Sequence, residues 1–175
     1  MLLFFFGYLF VFLDYNITVG TASINLIPDF VGFILLFIAS RLYASKSRHF
    51  FAVGIVSLIL GAWGLVSFGL GLFSISLPSI VQTISGVIAM LGALYLTYAF
   101  TEGVKEYEAG FSKPIGAAQL SSAWVLLCMG NLIFYFTLIF NSMYLVCVLL
   151  QILSLVWFEY SILSIYNQVR KRKLR

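Results

Sequence analysis

The sequence predicts an all-α integral membrane protein, a bundle of six transmembrane helices in three antiparallel hairpins. Three observations carry that expectation. Of 175 residues, 62% are hydrophobic and 9% charged, with a mean hydropathy of +1.08; soluble domains carry roughly 25% charged residues, so lipid is the expected solvent. Apolar stretches long enough to cross a hydrocarbon core, about 20 residues each, recur six times between charges, prolines and polar clusters. The ten Lys and Arg side chains fall only in or at the edge of alternate connections and after the last stretch.

The expected spans run over 2–20, 27–44, 50–73, 79–101, 118–140 and 143–166, followed by a basic tail, 167–175. Asp14 and Asn16 interrupt the first, which reads as a short or tilted helix ending near Gly20. Arg41, Lys46 and Arg48 separate spans two and three, Lys105 and Lys113 separate spans four and five, and Arg170, Lys171, Arg172, Lys173 and Arg175 close the chain. Six spans bring all of these to one face. By the positive-inside rule that face, with both termini, is cytoplasmic, and the expected location is a bacterial inner membrane. The outer turns are expected at 17–26, 74–79 and 141–142. Met1–Leu13 has neither a basic start nor a small-residue cleavage site, so a removed signal peptide is not expected.

Packing in lipid relies on small residues that let backbones approach. Gly54, Ser57, Gly61, Gly64 and Gly71 form such a seam on span three, and Ser85, Ala89, Ala93, Thr97 and Thr101 one on span four. These two spans are expected to form a tight hairpin. Val104, Tyr107 and Phe111 follow at helical spacing among Lys105, Glu106 and Glu108. They fit either a short amphipathic helix on the interface, ended by Lys113-Pro114, or an extension of span four into water.

An ionisable group inside a span is a functional candidate by default. Glu159 in span six is the clearest, and Gln151, Leu155, Glu159 and Tyr166 share one helix face. Asn131 of span five lies at nearly the depth of Gln151, close enough to bond to it. Glu159 then either binds a cation or exchanges a proton in a polar pathway, or is held by Tyr, Ser or Trp groups to fix helix rotation. At the outer face Asp14 and Asp29 form a second candidate, an acidic site for a cation or basic peptide. Asp29 after Pro28 equally suits a first helical turn, whereas Asp14 near a helix C-terminus opposes the macrodipole.

Other chemistry lacks its parts. His49 is the single histidine and Cys128 and Cys147 lie in apolar segments without a CxxC spacing, so no metal, cofactor, disulfide or Ser-His hydrolase is expected. The basic residues punctuate spans instead of lining a groove, so nucleic acid is not an expected partner. Gly130-Asn131-Leu132-Ile133 resembles a short stretch of the lipoprotein signal peptidases, but Phe134 stands where an aspartate should follow. Ile27-Pro28-Asp29-Phe30-Val31-Gly32-Phe33 resembles the opening hairpin of small multi-span membrane proteins of Gram-positive bacteria, a resemblance that implies membrane location and no activity. The expected function is that of a non-catalytic accessory, interaction or immunity-type subunit, with the lipid bilayer and a protein partner or second copy as its partners. The alternative is a small-solute or ion transporter, or its membrane component, with a polar interior around Glu159.

Overall fold

The computed structural model describes residues 1–12, 16–19, 22–25, 29–73, 78–137 and 144–173. Six α-helices carry the fold: α1 (Leu2–Phe12), α2 (Asp29–Tyr43), α3 (Arg48–Leu72), α4 (Ser79–Ala109), α5 (Ala117–Thr137) and α6 (Tyr144–Lys173). The helical class therefore holds. Among the described residues three helices are long and apolar enough to cross a membrane, by length and composition: Arg48–Leu72, Ser79–Ala109 and Leu145–Arg172. Leu2–Phe12 and Ala117–Ile133 are apolar but shorter.

The first expected span needs correction. α1 is described over Leu2–Phe12, and Asn16–Val19 (β1), inside the expected span, pairs antiparallel with Ala22–Asn25 (β2) in the register Asn16 to Asn25 and Val19 to Ala22. Asn16 at the start of β1 is a poor helix former. The β-branched Ile17, Thr18, Val19 and Ile24 favour extended chain. The described residues of the stretch expected to be an outer turn thus pair as two short strands.

Contacts divide the chain into two compact units. In Leu3–Phe100, α1 meets α2 where glycine removes the side chain: a Cβ on Gly32 would stand 2.7 Å from the Gly7 carbonyl oxygen and 2.8 Å from the Val11 nitrogen. Along the next pair, Gly54 faces Ser40, Gly61 faces Phe33 and Gly64 faces Phe30. The seam on α3 therefore packs on α2. This corrects the expected pairing with span four, and the reason is that Phe30, Phe33 and Phe37 supply the large side chains that the small seam accommodates. The contact from α3 to α4 is made instead by a large residue, with Leu60 against Gly92. Ser47 opens α3, its side-chain oxygen accepting from the His49 N–H at 3.0 Å.

An aromatic cluster of Phe4, Tyr43, Phe50 and Phe100 gathers the start of α1, the end of α2, the start of α3 and the last third of α4 at one level. Phe4 lies 4.7 Å from Phe100 and 5.6 Å from Phe50, ring to ring. Phe4, Phe50 and Phe100 are fully buried. One turn further on, the buried Tyr8 hydroxyl donates to the Leu96 carbonyl at 2.9 Å. Levels shared in this way require successive helices to run in opposite directions.

In the unit that contains Thr101–Arg175, α4 continues unbroken to Ala109. The extension reading holds over the separate amphipathic helix. A short loop then reaches α5, with Gly116 at φ +106°, where L side chains are strained. α5 and α6 pack antiparallel: Gly116 faces Ile165 and Gln168, and Gly130 faces Ser154 and Gln151. Phe158, Ile162, Ile165 and Val169 form the buried stripe of α6, and Leu120, Ala123 and Leu127 that of α5.

Candidate functional site

Several hydroxyls in these helices bond within their own helix. Ser40 donates to Phe37, Thr97 to Leu94, Ser121 to Ala117, Ser154 to Gln151 and Ser161 to Trp157, each to a carbonyl of its own helix at 2.7–2.9 Å. This is how a polar group survives where no water competes. Asn131 does the same, its Nδ2 donating to the Leu127 carbonyl at 2.8 Å. Among the described residues no hydrogen bond joins it to Gln151, so the expected bond across the hairpin is absent. What meets Gln151 at that depth is the backbone of Gly130, whose Cβ would lie 3.5 Å from Gln151 Cα and 2.9 Å from Ser154 Oγ. Both amide side chains are half-buried at this crossing.

Glu159 differs from all of these. It is 6% exposed, and among the described residues neither carboxyl oxygen has a hydrogen-bond partner. A carboxylate only accepts, and the helix around it offers carbonyls, which also only accept. The self-satisfaction open to serine and asparagine is thus closed to an ionised glutamate. The expected holding groups, Tyr, Ser or Trp, make no such bond: Ser154 and Ser161 are committed to their own helix and lie on the opposite flank of the buried stripe, at about 100° per residue. One other buried side-chain oxygen lacks a partner among the described residues, Ser57 Oγ in the α2–α3 seam, and a lone hydroxyl is far cheaper to bury than a charge.

Of the outer pair, Asp29 is half-buried at the first residue of α2, where a carboxylate complements the positive helix end. Asp14 lies outside the described residues, and so does Pro28. Among the described residues no group of three or more His, Cys, Asp and Glu gathers to hold a metal ion. Cys128 and Cys147 are free thiols.

Sequence reasoning missed a polar clasp at the end of α4. One Glu108 carboxylate oxygen accepts the N–H groups of Ile115, Gly116 and Ala117, the last two at 2.8 and 3.0 Å. It thereby caps α5 from the preceding helix. Arg172 of α6 donates to the carbonyls of Lys113 and Pro114 at 2.7 and 2.8 Å and lies over the Phe111 ring at 5.3 Å. An acid a few residues ahead of a proline-containing loop and a new helix was the available signal for the cap. No side-chain pattern announces an arginine that binds backbone carbonyls.

The chain matches no protein-family model, no curated protein and no solved structure.

Proposed function

We propose that the chain is a six-span membrane protein with both termini cytoplasmic, in a bacterial inner membrane, and that it serves as a small-solute or ion transporter, or the membrane component of one, with Glu159 as its working group. The orphaned carboxyl carries this reading. A buried acid with neither oxygen bonded is completed by a proton or a small cation, and those are what a coupled transporter exchanges. The alternation of helix direction through the aromatic cluster supports three hairpins. The described lengths of α1 and α2, 11 and 15 residues, rise about 17 and 22 Å, so these two would be the shortest of the six proposed spans.

A different observation favours the accessory or interaction subunit. Gly69 and Gly71 on α3 and Gly86 on α4 have no atom of the described residues within 4 Å of where a Cβ would stand. Small residues left open on apolar helices suit a close-packed helix from another chain.

Glu159→Gln separates the two, because it keeps shape and hydrogen-bonding capacity while removing the exchangeable charge. In liposomes with a trapped pH indicator and an imposed potential, the transporter reading expects proton flux above that of empty liposomes, lost in the variant. Flux unaffected by the variant overturns it. A stoichiometric co-purifying protein, retained by Glu159→Gln in the absence of any flux, would establish the accessory role instead. Reporter fusions at both termini test the topology, and an external signal after Arg175 overturns six spans.

A further inference from the structure

We propose that Lys113, Lys171 and Arg172 form a binding site for the phosphate headgroup of an anionic lipid. The proposal rests on the reading of α6 as a membrane-spanning helix. α6 stays helical to Lys173, so its basic residues ride on a rigid turn and not on a loose tail. That turn is docked: Val169 is buried, and Arg172 grips the Lys113 and Pro114 carbonyls. The grip engages one N–H from each terminal nitrogen and leaves the other N–H groups of a fixed, planar guanidinium available, the donor array that suits a phosphate. Lys113 and Lys171 are exposed, and neither has an ion-pair partner among the described residues. Arg172 holds the backbone of the first, and the second is its neighbour on the helix, about 100° round.

Two of the three acids at the end of α4 are engaged away from the basic cluster, and the third, Glu106, has an interaction of its own. Glu108 is spent on three backbone N–H groups, and Glu102 pairs with Lys105 at 2.6 Å. Aromatic rings identify the occupant as lipid and not an acidic protein. Tyr107 meets Phe111 edge to face at 5.0 Å beside the loop, and a tyrosine, apolar in its ring and polar at its hydroxyl, marks the headgroup level of a bilayer. A juxtamembrane basic cluster at that level meets anionic headgroups directly.

The test is native mass spectrometry of the full-length protein, released from detergent with phosphatidylglycerol or phosphatidylcholine of identical acyl chains. The expected result is selective retention of phosphatidylglycerol, weakened about five-fold by Lys113→Gln and again by Lys171→Gln. Both changes are on the surface and leave the Arg172 grip intact. Millimolar inorganic phosphate should not displace the lipid, and displacement would show a free-anion site and overturn the proposal. Equal retention of the two lipids, or selectivity untouched by the lysine changes, also overturns it. Retention of neither lipid would overturn it together with the spanning reading of α6, whereas loss of proton flux in Glu159→Gln with lipid selectivity intact leaves it standing.

Discussion

Replacing Gly32 with alanine adds one methyl group at the place where the α1 and α2 backbones come closest. The new carbon would stand 2.7 Å from the Gly7 carbonyl oxygen, 2.8 Å from the Val11 nitrogen and 2.8 Å from Val11 Cγ2. Ordinary contacts lie near 3.5 Å, so α1 must retreat by about 0.8 Å. Two of the three obstacles are backbone atoms, which no rotamer change can move. A gap of that size along a helix pair forfeits a quarter to a half of each affected contact, and overpacking of this kind costs about 2 kcal/mol. For a chain of this length that lowers the melting point by about 4–8 °C. Tryptophan fluorescence during thermal unfolding in detergent measures it. Gly86→Ala is the control, since no described atom lies within 4 Å of its Cβ position. It should leave the melting point unchanged or raise it through helix propensity. If Gly32→Ala melts within about 1 °C of the wild type, the close approach of α1 and α2 is wrong.

At the α5–α6 crossing, Gly130→Ala should destabilise by about 1–3 kcal/mol because its Cβ would meet Ser154 Oγ at 2.9 Å. Ser154→Ala should restore part of that loss, and additive effects in a double-mutant cycle of melting points would separate the two residues. Glu108→Ala should cost about 1–2 kcal/mol, since it strands three N–H groups at the start of α5. Hydrogen exchange should then rise at residues 115–117 and not at Gly130. Unchanged exchange there would remove the cap.

The six helices were legible as apolar runs, three of them long and apolar enough to cross a membrane, because a long apolar run leaves a compositional mark that no tertiary contact can erase. Glu159 was legible for the same reason: a charge in an apolar run stands out wherever its side chain turns. Partners were not. The glycines at 54, 61 and 64 show that some backbone comes near, but a one-dimensional stripe carries no address, and Phe30 and Phe33 on α2 claimed it by shape. The first span was carried to Gly20 because Ile17 and Val19 are as apolar as a membrane helix requires, and hydropathy does not separate β-branched residues in a strand from the same residues in a helix. The cap and clasp at Glu108 and Arg172 were hidden for a simpler reason. Their partners are main-chain N–H and C=O groups, which every residue possesses and no sequence distinguishes.

The two fastenings of α6 have a mechanical consequence. Ser154 abuts Gly130 at one end and Arg172 grips the α4–α5 loop at the other, about 27 Å apart. That separation is about five whole turns, so both fastenings lie on the same side of the rod. A helix pinned twice along one edge cannot roll about its axis. Glu159, between the pins and rotated away from their line, has its heading set by leverage it does not itself supply. Any motion that presents this carboxyl to a new environment must bow α6 or carry α5 and α6 together as one stiff plank.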